Sequence, residues 1–312
     1  MENNLIWIDG NYFEKNDAKI AALSQTFHYG FGVYEGIRSY EINQEASIFR
    51  LKDHTDRLFQ SAQLLGITIP YEKETINDAL CNILLKNHLA NAYLRPVVFM
   101  GDEFLGLHTQ LTSVHLMIAA IKWNDFYVSK EQMKKGVSIK TASHERLALK
   151  NGLQKAKANG LYLISILANN EARAAGCDEA LLLDPKGYVA EGSGANIFII
   201  KNKILYTPFL DFALDGITRR TIIQLAKDQN IPVVEKNITL AELYCADEVF
   251  FCGTAAEVLA VTQVDGKKIG SGEMGERTEA MQNAYREVTT GKNAHYQHWL
   301  THASNREKVL LY

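Results

Sequence analysis

Long apolar runs are missing from this sequence. The opening segment, MENNLIWIDGNYFEK, is acidic and lacks the extended apolar core of a secretory leader, and no later stretch is apolar enough to span a bilayer. Cysteine is scarce too: Cys81, Cys177, Cys245 and Cys252 are scattered and form no CxxC pair. That argues against a disulfide framework or a zinc ribbon and for reduced thiols in the cytoplasm. No basic block stands out against a formal net charge of −3, so the clustered Lys and Arg that nucleic acid demands are lacking. Neither a G-x-S-x-G elbow nor a Walker A sequence occurs, which removes the cheapest support for a hydrolase or a nucleoside-triphosphatase. Internal repeats and low-complexity tracts are absent as well.

What is present is an ordinary globular mixture, 47% hydrophobic and 22% charged over 312 residues, enough for a substantial core and, by length, for two domains. Leu5-Ile6-Trp7-Ile8 followed by Asp9-Gly10 predicts a strand entering a hairpin turn with positive φ. Apolar residues at helical spacing predict helices over 51–65 and 74–88, and Ala92 to Met100 reads as a strand that Pro96 places at an edge or at an irregularity. A strand over 114–121 closes the first half, and the segment around 122–128 is the candidate linker. The second half reads as a strand over 137–141, a helix over 161–175 stopped by Gly176, and strands over 179–184, 188–191 and 196–200 in a meander that suggests an antiparallel or mixed sheet. A helix over 217–229, strands over 248–251 and 258–264 and a helix over 275–288 complete an α+β pattern.

Two features invite over-reading. Gly270-Ser271-Gly272-Glu273-Met274-Gly275 satisfies G-x-G-x-x-G, yet too little chain follows to build a dinucleotide fold, so a turn feeding the last helix is expected. His295, His298 and His302 have no cysteine nearby to complete a zinc site, and a solvated, partly disordered tail is expected there.

Four segments carry chemistry: KANGLYLISILANNEA, YVAEGSGANIF, LDGITRRTII and CGTAAE. They offer a lysine before a helix, a carboxylate at a strand end, and a Gly-Ile-Thr helix start whose free N–H groups suit a phosphate. A lysine that forms a Schiff base, a carboxylate against a pyridine nitrogen and a phosphate cradle are what pyridoxal 5′-phosphate requires. In this order the segments resemble the fold-type IV aminotransferases, over nearly the whole chain. HYGFGVYEGIR and AYLRPVVFMGD resemble the branched-chain amino acid aminotransferases in particular.

The resemblance implies the D-amino acid aminotransferase-like fold, mixed α/β and α+β, with a small N-terminal domain at 1–121, a linker at 122–134, a cofactor-binding domain at 135–290 and a tail at 291–312. It implies Lys157 as the Schiff-base lysine and Lys155 as a bystander, Glu191 as the carboxylate on the pyridinium nitrogen, and Tyr162 as a phenol near the cofactor's phenolic oxygen. Arg57, Ile217, Thr218 and Thr254 are implied as phosphate contacts, with Leu214 in the cofactor site and Asp215 as the adjacent N-cap. The backbone N–H groups of Thr254 and Ala255 match a substrate-carboxylate site. Tyr29, Tyr34, Arg38, Tyr93 and Arg95 match pocket positions, Arg95 being placed to meet the distal carboxylate of glutamate. Phe126 or Tyr127 from the linker, and Leu105 and Leu107 from a neighbouring subunit, are implied to cover the site, so the active species is expected to be at least a dimer.

The implied reaction moves an amino group from leucine, isoleucine or valine to 2-oxoglutarate in the cytoplasm. D-amino acid transamination, aminodeoxychorismate lyase chemistry and a silent cofactor-binding protein stay open as alternatives. Two departures bear on this. Ala195 stands where the family run EGxG continues with glutamate, and ALKNGLQKAK lacks the prolines common before the lysine.

Overall fold

The computed structural model describes residues 5–123, 129–147 and 152–304. The chain divides into two compact units, one of Met1–Asn124, Ala156–Gly160 and Val288–Tyr312, the other of Asp125–Lys155 and Leu161–Glu287. Among the described residues, the first unit holds an eight-stranded sheet in the order Leu300–His302, Glu45–Phe49, Ile37–Ile42, Ala92–Met100, Val114–Lys122, Leu5–Ile8, Asn11–Glu14, with Gly32–Tyr34 also paired to Ala92–Met100. Every pair is antiparallel.

Asp9 and Gly10 turn the first hairpin at φ of 46° and 89°, as their sequence requires. Pro96 lies inside the sheet, at the expected irregularity. Val97 to Phe99 pair with Gly32–Tyr34 and Ala92 to Leu94 pair with Ile37–Ile42, so Pro96 faces the break between those two strands. Its carbonyl points into that break and accepts from Glu35 N at 3.0 Å. A strand residue's N–H and C=O point the same way, so the missing N–H costs no ladder bond.

Two helices, Leu51–Leu64 and Lys73–Lys86, fall within two residues of their expected bounds. The second buries Ile76, Leu80, Ile83 and Leu84. The first buries Leu51, Leu58 and Ala62 but also His54, Arg57 and Ser61, so its inward stripe carries polar chemistry into the core.

The histidine-bearing C-terminal segment departs from the expected solvated tail. Ala294–Trp299 is a 3₁₀ turn and Leu300–His302 is a strand on Glu45–Phe49. The rings of Tyr296 and Trp299 stack at 4.1 Å, Arg50 lies 4.3 Å from the Trp299 ring, and His302 Nδ1 meets Ser47 Oγ at 2.7 Å. Aromatic packing, which three residues of strand pattern cannot announce, fixes this segment.

In the second unit nine described strands form a mixed sheet. Its main path runs Val189–Gly192, Glu179–Leu183, Val137–Glu145, Glu257–Val264, Glu248–Gly253, Asn196–Lys201, Ile204–Thr207, Val233–Glu235. Val137–Glu145 pairs in parallel with both its neighbours, and Ile204–Thr207 does so with Val233–Glu235. One face is filled by Ile139, Leu181, Ile197, Phe251 and Val261. On the helix Tyr162–Ala174, Ala168 and Ala172 meet Ala142, Ala180 and Leu182, small residues that let a helix approach a sheet closely. Gly176 stops that helix at φ 78°.

The G-x-G-x-x-G run feeds the helix Glu276–Thr289. Glu248 already holds this helix start, its Oε1 accepting from Arg277 N at 3.1 Å and its Oε2 from Thr278 N at 2.7 Å. A helix end closed by the chain's own carboxylate repels rather than invites a phosphate.

Candidate active site

In the first unit the segment Ala156–Gly160 is laced into the sheet. Lys157 donates its N–H to Ser61 Oγ at 3.0 Å and accepts from Tyr34 N at 3.1 Å, and Ala158 bridges Val33. Gly160 N donates to Gly30 O at 3.0 Å. Gly30 sits at φ 67°, and a Cβ there would stand 3.0 Å from Gly160 Cα, so both conformation and space call for glycine. The backbone of Lys157 is thereby fixed on both sides. Its Nζ lies 4.8 Å from the Tyr34 ring centroid, whereas Lys155 is exposed.

The Tyr34 ring is also 4.4 Å from the Arg95 guanidinium, which donates from Nη2 to Tyr93 Oη at 2.9 Å. Gly36 makes room for that hydroxyl, since a Cβ would fall 2.1 Å from it. Tyr34, Tyr93, Arg95 and Lys157 thus form one cluster. Buried Arg38 stacks 3.7 Å from the Trp123 ring and 4.7 Å from Tyr40, and Trp123 in turn faces Tyr93 at 6.2 Å.

Behind Lys157 stands a charged cluster. Glu35, wholly buried, accepts from Arg57 Nε at 2.6 Å and Nη2 at 2.9 Å and meets His54 Nδ1 at 2.7 Å. Burial pushes the Glu35 carboxyl up, but the charge of Arg57 and the bonds from Arg57 and His54 outweigh it and hold the group well below the usual carboxylate range. Burial pushes the His54 imidazole down, Glu35 offsets this only in part, and the charges of Arg57 and Lys157 push the same way as burial. His54 is therefore neutral near pH 7 and donates Nδ1–H to Glu35.

In the second unit Glu191 is buried on the strand Val189–Gly192, at a register shift that re-aims its side chain. Its Oε1 is ion-paired with Arg146 Nη2, and its Oε2 accepts from Leu214 N at 3.1 Å and Asn196 Nδ2 at 3.3 Å. Asn196 Nδ2 also reaches Leu214 O at 2.9 Å, tying the strand to the loop before the helix Ile217–Asp228. The N-cap of that helix is Gly216, with no side chain capping it, and a Cβ on Gly216 would strike Asn196 Oδ1 at 1.9 Å. Asp215 is not the N-cap expected from sequence, because its Oδ1 is taken by Arg220 Nε at 2.8 Å. The first-turn N–H groups at Ile217 and Thr218 are thereby left to the helix dipole. Thr254 and Ala255 lie in the turn between Glu248–Gly253 and Glu257–Val264, where Gly253 passes over Gly194 and Ala195.

Other expected residues lie at helix ends and on a loop. Tyr162 is the half-buried first residue of its helix. Tyr29, at the end of the short helix Gln25–Tyr29, is half exposed. Leu105 and Leu107 are exposed, Leu107 by 82%, on a loop held by Gln25 Nε2 to Phe104 O at 3.1 Å and Gly106 O at 2.7 Å. Phe126 and Tyr127 lie outside the described residues.

The family profile described as amino-transferase class IV matches residues 32–264. The branched-chain-amino-acid aminotransferase of Pseudomonas aeruginosa is 46% identical over 299 residues, 96% of this chain and 97% of its own. The chain belongs to the class IV aminotransferases. Within that family the Escherichia coli branched-chain-amino-acid aminotransferase is 38% identical over 95% of this chain and 96% of its own. The T.th. branched-chain amino acid aminotransferase, solved with pyridoxamine 5′-phosphate, superposes with a TM-score of 0.93 at 39% identity, covering 97% of this chain and 99% of its own. The same protein has been solved with N-(5′-phosphopyridoxyl)-L-glutamate and with 4-methylvaleric acid, each at a TM-score of 0.92. The fold expected from the motifs is the one these class IV structures share.

Several residues of this class IV site escaped the sequence. His54, Ser61, Trp123 and Arg146 belong to no segment read for chemistry, and Glu35 and Asn196 lie inside HYGFGVYEGIR and YVAEGSGANIF without a role being assigned to them. One signal was available: Glu35 lies between Val33 and Ile37, both fully buried, and a charge inside an inward-facing run demands a partner.

Proposed function

We propose that this protein is a pyridoxal-phosphate-dependent aminotransferase acting on leucine, isoleucine and valine with 2-oxoglutarate as acceptor. The observation that carries it is the Tyr34 ring between two cations, Lys157 at 4.8 Å and Arg95 at 4.4 Å. An aromatic wall suits an aliphatic side chain, and a cation on it suits a second carboxylate. The T.th. protein supports this dual use, since its structures hold a glutamate adduct and an aliphatic acid. The relatives described above are named branched-chain aminotransferases, which favours this reading over D-amino acid transamination, lyase chemistry or a silent binding protein.

The donor set fits the cofactor: an amine fixed at its backbone, an oriented guanidinium, a buried carboxylate and a helix start capped by no side chain. Pyridoxal 5′-phosphate, when bound, supplies an aldehyde to capture the amine and a ring to take up electrons released at Cα. Lys157 Nζ would hold the aldehyde carbon and take up the proton released at Cα, and Arg57, held by Glu35, would bind phosphate. Glu191 would keep the ring nitrogen protonated, and Ile217 N–H, Thr218 and Thr254 would bind phosphate oxygens. Leu214 would line the cofactor site and the Tyr162 phenol would meet the phenolic oxygen. Thr254 and Ala255 N–H groups take the substrate's α-carboxylate. Tyr29, Arg38 and Tyr93 line the side-chain pocket with Tyr34, and Phe126 covers it.

Leu105 and Leu107 are assigned to a neighbour's site, which requires a homo-oligomer. Exposed Leu163, Ile166 and Leu167, at helical spacing on Tyr162–Ala174, offer further apolar surface for such a partner. A cytoplasmic location is supported by four free thiols, at Cys81, Cys177, Cys245 and Cys252. Among the described residues no helix is long and apolar enough to cross a membrane.

The test is a set of half-reactions with L- and D-amino acids on wild type and Arg95→Leu. Glutamate should lose about a hundredfold or more in the variant, because its distal charge would be left unpaired, while leucine changes by only a few fold. Preference for D-alanine in the wild type, or equal losses for glutamate and leucine, would reject the assignment.

A further inference from the structure

Glu191 occupies an expensive position. Its side chain is 6% exposed, and a buried carboxylate without a cation favours its neutral, protonated form. In that form the group donates a proton instead of accepting one. Arg146 supplies the cation. It follows the strand Val137–Glu145, its backbone N is anchored on Leu183 O at 2.9 Å, and its Nη2 is ion-paired with Glu191 Oε1. Leu214 N and Asn196 Nδ2 also donate to Glu191, and these donors are neutral and longer, at 3.1 and 3.3 Å. The remaining guanidinium nitrogens of Arg146 are engaged more loosely, Nε with Phe212 O and Nη1 with Ser165 Oγ, both at 3.4 Å. The strongest interaction of this side chain is with Glu191.

We propose that Arg146 is a positioning residue that holds Glu191 ionised and aimed, so that Glu191 accepts at the cofactor's ring nitrogen and the proton stays on the ring. The inference rests on the assignment of Glu191 made above. Arg146 acts through Glu191 alone, so its removal should matter only where a carboxylate at position 191 and a ring nitrogen are both present.

Two measurements separate this role from general support of the fold. First, apoenzyme is reloaded with pyridoxal 5′-phosphate or with its 1-deaza analogue, which has a C–H in place of the ring nitrogen. Arg146→Met should weaken pyridoxal 5′-phosphate binding by about tenfold or more, the worth of a hydrogen bond to a charged group, and leave the analogue's affinity unchanged. Equal weakening of both overturns the inference. Second, the leucine half-reaction is timed in single turnovers. Arg146→Met should slow it by about tenfold to a hundredfold in the wild type and add no further loss in the Glu191→Gln background. Additive losses overturn it. Arg146→Lys keeps the charge without the planar fork and should lose less than Arg146→Met; it also carries both tests if the methionine variant does not fold. Losses in the folded lysine variant as large as in methionine overturn the role of charge. An unchanged rate in Glu191→Gln alone rejects the Glu191 assignment and this inference with it, whereas a slow Glu191→Gln beside an unaffected Arg146→Met rejects the inference only.

Discussion

Among the described residues, each unit sets an arginine against a buried carboxylate, Arg57 on Glu35 and Arg146 on Glu191, and the two pairs differ in how the carboxylate is held. In the first unit Glu35 receives the Nε and Nη2 fork of Arg57, the His54 Nδ1–H and, at 3.2 Å, Gly36 N. Under the proposed function a carboxylate so engaged is a mount, and Arg57 is the group it would aim. In the second unit Arg146 grips one oxygen of Glu191 while weaker neutral donors hold the other. There the arginine is the mount and the carboxylate is aimed. Under the proposed function the same kind of ion pair would thus serve opposite ends, aiming the arginine in one unit and the carboxylate in the other.

The largest expected effect comes from removing the lysine to which the proposed function gives the Schiff base. Lys157→Ala should reduce turnover to background and abolish the cofactor's long-wavelength absorbance, while Lys155→Ala keeps both, because Lys157 alone is fixed between Ser61 and Tyr34. Borohydride reduction and peptide mapping locate the attachment, and label on Lys155 would refute it.

The next effect is on stability. Glu35→Gln leaves the Arg57 charge in a site where the Glu35 side chain is fully buried and that of Arg57 is 9% exposed. Breaking a buried pair by removing one partner costs about 3–5 kcal/mol. Arg146→Met should cost less, since the Arg146 side chain is 14% exposed and methionine fills part of its volume. Urea unfolding of the two apo variants measures the ranking. A smaller loss for Glu35→Gln than for Arg146→Met would mean that the first pair is not the tighter mount.

The contrast between the pairs also shows what the sequence could say. The lysine, the strand-end carboxylate and the helix start were legible because each sits in a local pattern: KAKANGLY before a helix, EGSG at a turn, GIT opening a helix. Helices longer than ten residues were found within two residues of their ends, for the same reason of local periodicity. The mounts were not legible. Glu35 and Arg57 are 22 residues apart, and Arg146 meets Glu191 only because Val137–Glu145 and Val189–Gly192 lie either side of Glu179–Leu183 in one sheet. Strands of three residues were missed likewise. Val233–Glu235 has three residues and takes its register from Ile204–Thr207, so nothing within it reveals its state.

The smallest expected effect sharpens the comparison through pH, because the first mount contains an imidazole and the second does not. His54 faces Glu35, Arg57 and Lys157, and burial together with the two cations holds its pKa below the ordinary 6.5. In the window beneath 6.5 the unfolded chain therefore binds a proton that the folded chain does not. Stability is full above that window and is lost as pH falls through it, with a slope of at most about 1.4 kcal/mol per pH unit. Glu35 behaves in the same sense lower down: its pKa is depressed from 4.5, so its contribution is present above 4.5 and lost as pH falls below it. That lower window is shared with other carboxylates, among them Glu242, which its Lys236 and Thr239 bonds bring down to about 2. The upper window is the diagnostic one. His54→Asn keeps a donor for Glu35 but does not titrate, so urea midpoints of this variant should be flatter between pH 6.5 and 5 than those of the wild type, by about 1 kcal/mol or less over the interval. Parallel curves would show that folding does not lower the His54 pKa, and a wild type that gains stability over the variant as pH falls would show that His54 is charged in the folded protein, so that the Glu35 mount holds two cations instead of one.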